Sequence, residues 1–156
     1  HFKPGHLVDG DYTLRVQGFD QHGNQAGKSE YEINFKVVNE VALSNLLNYP
    51  NPFSTSTRFV YTLTGAEIPE RFDIQIFTIT GKLVKVIDLH ETNDVKVGYN
   101  ITDYAWDGRD EYGDQLANGV YIYKVVAKVN GKDMKLRDEG ITDLFKNGFG
   151  KMYLMR

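Results

Sequence analysis

The chain has 156 residues, room for one ordinary domain or for one and part of a second. Hydrophobic residues make up 41% and aromatics 13%, enough for a packed core and too many for a disordered chain. A net charge of -3 excludes the basic footprint of a nucleic-acid binder, and no apolar run reaches the length of a membrane-spanning helix. The absence of cysteine removes disulfides, thiolate metal sites and a Cys nucleophile.

The chain opens on "HFKPGHLVDGDY", with neither an initiator Met nor a signal-peptide pattern, and is expected to be part of something longer. "DYTLRVQGF" (11–19) sets Tyr12, Leu14 and Val16 against polar neighbours, the period of a half-buried strand. "DQHGNQAGK" (20–28) supplies turn residues, and "SEYEINFKVV" (29–38) alternates again through Tyr31, Ile33, Phe35 and Val37. Residues 11–38 therefore read as a β-hairpin, which needs a packing partner because two strands alone are marginal in water.

"NEVALSNLLNYPNPF" (39–53) reads as a junction that holds either a short helical turn or a first strand. Pro50 and Pro52 stop regular structure there, and a domain boundary is expected near residue 40. Strand patterns then recur at "TRFVYTLT" (57–64), "RFDIQIFTI" (71–79), "KLVKVIDL" (82–89) and "YNITDYAW" (99–106). Thr80-Gly81 and Asn130-Gly131 are hairpin turns, the second leading from "GVYIYKVVAKV" (119–129) into "KDMKLR". "RDEGITDLFKNGFG" (137–150) reads as an insertion holding a helical turn, and "KMYLMR" (151–156) as the final strand.

This spacing predicts an all-β protein. Residues 40–156 form an immunoglobulin-like antiparallel β-sandwich, and 1–39 are the terminal hairpin of a preceding β domain. "VDGDYTLRV" (8–16) and "ANGVYIYKV" (117–125) share a Gly two residues before a strand-opening Tyr. Tyr12 and Tyr121 are thus candidates for the tyrosine corner of two tandem sandwiches.

Asp107, Asp110, Glu111 and Asp114 offer oxygen ligands, of which Asp107 and Asp110 are the best placed for calcium. Their spacing does not match the EF-hand loop, and polar turn chemistry accounts for them, so no metal is expected. His1, His6, His22 and His90 lack the spacing of a zinc pair, and neither a Gly-x-Ser-x-Gly elbow nor a phosphate-cradling Gly-Lys loop is present. No catalytic residue and no cofactor are predicted. Asn100-Ile101-Thr102 matches the glycan acceptor pattern, and Trp106 and Tyr112 are the aromatics a carbohydrate binder would need exposed, although Trp106 is expected in the core.

"NYPNPFSTSTRFVYTL", "IQIFTITGKLVKVI", "WDGRDEYGDQLANGVYIYKV" and "GKMYLMR" together resemble the C-terminal domains of proteins exported by the Bacteroidetes type IX secretion system. Those domains are similar to the immunoglobulin-like domain of flagellar hook-capping proteins. The resemblance covers about residues 44–156, and "LVDGDYTLRVQGFDQHGNQAG" resembles the segment before this domain in the gingipain-like cysteine peptidase that acts as the system's sortase.

The resemblance implies a non-catalytic sorting domain that delivers its parent protein to the cell surface; the alternative reading is a structural or carbohydrate-binding immunoglobulin-like surface module. The partners it implies are the type IX translocon and its outer-membrane shuttle protein. It carries recognition roles to Pro50, Asn51, Pro52 and Phe53, to Gly119 and Tyr121, and to Lys151 and Arg156. The insertion at 137–150 departs from the family pattern. A further expectation is that the final strand offers a free edge for β-augmentation, with Lys151 and Arg156 giving charge complementarity. Deleting residues 150–156 is then expected to abolish export and leave the upstream fold intact.

Overall fold

Alternating apolar and polar side chains become strands along nearly the whole chain in the computed structural model, which describes residues 7–92, 95–137, 145–146 and 148–156. The chain divides into two units, His1–Asn39 and Glu40–Arg156.

In the first unit, β1 (Gly10–Phe19) and β2 (Gln25–Val37) form an antiparallel hairpin. The register sets Tyr12 opposite Phe35, Leu14 opposite Ile33 and Val16 opposite Tyr31, so one face is apolar. The Tyr12 and Phe35 rings stack with centroids 5.8 Å apart. The turn is tighter than predicted. Asp20 accepts from the backbone N–H of His22 and Asn24 and closes the loop at 20–24, so residues 25–28 continue the strand. Tyr12 donates its hydroxyl to the Val8 carbonyl at 3.0 Å, the bond a tyrosine corner makes. Asn39 closes the unit by donating to Asp9 and to the Leu7 carbonyl.

The second unit is a two-layer sandwich. Its elements are β3 (Ala42–Tyr49), β4 (Arg58–Thr64), β5 (Arg71–Thr78), β6 (Leu83–Asp88), the helical turn α1 (Leu89–Thr92) and β7 (Gly98–Ile101). They continue with β8 (Gly119–Val129), β9 (Lys132–Asp133), β10 (Lys135–Arg137), β11 (Phe145–Lys146) and β12 (Phe149–Leu154). One sheet runs β10-β3-β4-β7, and the other runs β11-β12-β8-β5-β6 with β9 on β8.

Inward residues of both sheets make the core. Tyr61 of the first sheet meets Phe72 of the second at 4.9 Å between ring centroids, and Phe59 meets Tyr123 at 5.1 Å, both edge to face. Trp106, fully buried, packs on Phe53 and Tyr121, and its Nε1 donates to the Arg109 carbonyl at 2.8 Å. Burial of side chains of this size contributes about 1.5–3 kcal/mol each, which makes the inter-sheet layer the main source of stability.

The all-β sandwich is as expected, with four local departures. Of the two alternatives for the junction, residues 42–49 take the strand, bulged where Asn45 takes φ 55°. The turn after β5 spans 79–82 instead of two residues, closed by Gly81 at φ 87° and by Thr78 and Lys82 pairing. The segment 99–106 is a strand only through Ile101, because Thr102 turns its side chain back to accept from the Phe59 N–H.

The third departure follows from crowding. Asn130 and Gly131, at φ 53° and 73°, make the predicted tight hairpin turn, but only Lys132 and Asp133 pair with β8 as a strand, with the Met134 N–H making a last bond to the Ala127 carbonyl. The same edge of β8 is taken from Gly119 to Lys124 by β12, so the chain leaves through the buried Met134 and joins β3 in the other sheet. That pairing, Lys135–Arg137 on Ala42–Ser44, is parallel, so the sandwich is not purely antiparallel.

The fourth departure lies in the predicted insertion. Residues 138–144 and 147 fall outside the described residues, but Phe145–Lys146 is a strand on Phe149–Gly150, where a helical turn was expected. The final strand accordingly starts at Phe149 instead of Lys151.

Candidate functional site around the closing strand

The expected recognition residues come from three distant stretches, and all of them converge on β12. Asparagine carries on its side chain the same donor and acceptor pair as a peptide unit. Asn51 uses both: Nδ2 donates to the Lys151 carbonyl at 2.9 Å, and Oδ1 accepts from the Tyr153 N–H at 3.0 Å. Phe53 continues this false strand, donating to the Tyr153 carbonyl at 2.9 Å and accepting from the Met155 N–H at 2.8 Å. Its ring is buried against Trp106.

Pro50 and Pro52, each following a cis peptide bond, are exposed on either side of Asn51. Asn48 Nδ2 donates to the Thr57 hydroxyl, which in turn donates to the Pro50 carbonyl at 2.8 Å, anchoring the entry from beneath.

These contacts overturn the expectation of a free edge. β12 pairs with β8 on one side, and on the other with β11 and then with Asn51 and Phe53. Met152 and Leu154 are fully buried, so removing residues 150–156 strips the core instead of trimming a tail. Gly150 is required by packing: a Cβ there would lie 1.9 Å from Cζ of Tyr123, whose phenol burial pushes well above its ordinary range.

The opposite edge of this sheet is also covered. Glu111 donates its N–H to the Val84 carbonyl at 2.9 Å and accepts from the Val86 N–H with its carboxylate at 3.2 Å. Lys85 adds an ion pair to Glu111 at 3.6 Å.

Arg156 and Lys151 take different parts. The Arg156 guanidinium donates to the carbonyls of Leu116, Asp107 and Gly108, and its N–H reaches Asn118 Oδ1 at 2.9 Å. Asn118 returns a bond to the Arg156 carbonyl at 3.0 Å, so the last residue is pinned to the loop before β8. Gly108, at φ 74°, leaves room for this: a Cβ would stand 2.7 Å from Nη2 of Arg156. Lys151 is exposed and makes no ion pair among the described residues.

Tyr121 donates its hydroxyl to the Ala117 carbonyl at 2.7 Å, four residues back, as Tyr12 does to Val8. Burial pushes the Tyr121 phenol up, with Arg156 opposing the shift. Gly119 stands at φ 158°, close to extended backbone, at the start of β8.

The acidic stretch is turn chemistry. The Asp110 carboxylate accepts from the N–H of Tyr112 and Asp114, both at 2.9 Å, repeating what Asp20 does in the first unit. Asp107 accepts from Arg109 N–H and pairs with its guanidinium at 3.2 Å. Among the described residues no three His, Cys, Asp or Glu side chains gather as a metal would need. Trp106 is buried as expected, while Tyr112 is 91% exposed.

Neither a protein-family model nor a curated protein matches this chain. Among solved structures the chain is similar to dimeric latent PorU from Porphyromonas gingivalis, at a TM-score of 0.54 and 22% identity. The likeness covers 96% of this chain and 12% of PorU. At this identity the shared property is the fold.

Sequence reasoning missed Asn118 and the outer row of Ile122, Lys124 and Phe149. Asn118 stands in the quoted "LANG" stretch next to a motif glycine, yet its partner lies 38 residues away. The alternation of β8 did mark Ile122 and Lys124 as outward, the signal by which this face could have been found.

Proposed function

We propose that residues 40–156 are a non-catalytic sorting domain that directs its parent protein through the type IX secretion system to the cell surface. The parent we infer is a gingipain-like sortase, and residues 1–39 are the last two strands of its preceding immunoglobulin-like domain. The supporting observation is that Pro50–Phe53, Gly119–Tyr121 and Lys151–Arg156 form one hydrogen-bonded assembly around the closing strand. Motifs dispersed over the sequence thereby become one rigid surface that a shuttle protein of the translocon can read. The similarity in fold to PorU, a type IX secretion sortase, supports the same reading.

The recognised object in this proposal is the assembled surface and not an unpaired strand. Pro50, Pro52, Gly119, Lys151 and Arg156 are its exposed members, and Arg156 together with the buried Phe53 and Tyr121 holds it in shape. The domain works by presentation and needs no cofactor. A fusion assay tests it: a periplasmic passenger carrying residues 1–156 is expressed in a type IX-competent bacterium and probed with external protease. The passenger is expected at the surface. Retention of a folded fusion in the periplasm would refute the proposal.

A further inference from the structure

The outer face of the second sheet differs from the polar face that a sandwich turns to solvent. Its register sets two rows across three strands, Phe149–Lys124–Gln75 and Lys151–Ile122–Phe77. Together with Ile79, 68% exposed, these side chains line an open groove of about 650 Å³. The edge of β12 is taken by β11, Asn51 and Phe53, and the edge of β6 by Glu111. A partner of β12, β8 and β5 therefore meets them on their face.

The groove carries charge of one sign. Lys124 and Lys151 are the charged residues of its described lining, which holds no Asp or Glu, and neither makes an ion pair among the described residues. Lys124 Nζ stands 5.7 Å from the centroid of the Phe149 ring. The two lysines are diagonal neighbours on one face, a relation that places side chains roughly 7–8 Å apart. Ammonium groups carried on neighbouring positions of one face repel each other, and an anion set between them relieves that repulsion above the aromatic and aliphatic floor. An acyl chain would need enclosure to leave water, which an open groove does not give.

We propose that this groove binds an extended peptide segment, apolar side chains on Phe77, Ile122 and Phe149, and an Asp or Glu carboxylate between Lys124 and Lys151. The inference rests on the recognition role given to Lys151 above and adds the chemistry of the partner. Extended chains suit the site because alternate side chains project to one face, so a chain that sets a carboxylate between the lysines sets its next same-face side chain on the apolar floor, about 6.6–6.8 Å away.

The test uses the 156-residue chain and a fluorescein-labelled nonapeptide of Val and Ser carrying two Glu, beside the same peptide carrying Gln. Anisotropy titration at low ionic strength is expected to show the Glu peptide binding at least fivefold tighter, with the gap narrowing as salt is added. The double variant Lys124→Glu with Lys151→Glu should lose the preference for Glu, and Phe149→Ala should weaken both peptides alike. Trp106 fluorescence verifies that each variant is folded. Equal affinity for the two peptides, or an unchanged preference in the folded double variant, overturns the proposal. So does stronger binding to phosphatidylglycerol vesicles than to the peptide, which would assign the face to a lipid surface. Surface export of a fusion without peptide discrimination would sink this site alone, whereas discrimination without export would sink only the secretion reading.

Discussion

Replacing Asn51 by Ala isolates the bond between the Pro-Asn-Pro-Phe entry and the closing strand. The change removes the 2.9 Å bond to the Lys151 carbonyl and the 3.0 Å bond from the Tyr153 N–H, and leaves the Phe53 pair in place. A net hydrogen bond contributes about 0.5–1.5 kcal/mol, and water can reach this edge, so the two together set a loss of about 1–2 kcal/mol. For a domain of this size that is roughly 4–8 °C in midpoint. Thermal unfolding followed by the fluorescence of Trp106, the sole tryptophan, reads it directly. Hydrogen exchange gives a sharper signal: the Tyr153 amide should lose protection about tenfold, while the amides that face β8 keep theirs. Asn51→Asp should not rescue, because a carboxylate cannot donate to the Lys151 carbonyl. An unchanged Tyr153 exchange rate, or a midpoint shift under 1 °C, would refute the view that Asn51 acts as a piece of strand.

Three further outcomes follow from named contacts. Gly150→Ala forces a Cβ to within 1.9 Å of the Tyr123 ring and should cost about 1–3 kcal/mol or more, measured by denaturant titration. Tyr121→Phe removes the 2.7 Å bond to Ala117 and should cost about 1 kcal/mol with a visible change in Trp106 emission, whereas Tyr12→Phe should leave that emission unchanged. Hydrogen bonds from Lys135 and Arg137 hold the Glu40 carboxyl well below its ordinary 4.5, at about 2. A depressed folded value means stability that is present above 4.5 and lost as pH falls towards 2. Exchange in the β3–β10 pairing should therefore accelerate through that window in the native chain and show less pH dependence in Glu40→Gln.

The sequence by itself determined the elements. Alternation at 57–64, 71–79 and 119–129 became strands because one face of each had a layer to bury against, whereas 11–19 became a strand by pairing with 25–37, its apolar face staying largely exposed. Asn130-Gly131 became a tight turn because both positions need positive φ, and Tyr12 and Tyr121 made their corner bonds because those bonds span only four residues. Trp106 could be placed inside because no other residue of the stretch has comparable apolar area.

What only the tertiary structure decided has one physical origin, competition for edges between segments far apart in sequence. β9 leaves β8 because β12 occupies the rest of that edge. The edge of β12 is closed by Asn51, 100 residues from Lys151 and 102 from Tyr153. Arg156, which by charge alone reads as a binding residue, is held by internal carbonyls, and Lys151 by contrast stands over an apolar groove. Periodicity reports which face of a strand is buried. It carries no record of which neighbour satisfies the backbone at its edge, and that is where the motifs of this chain meet.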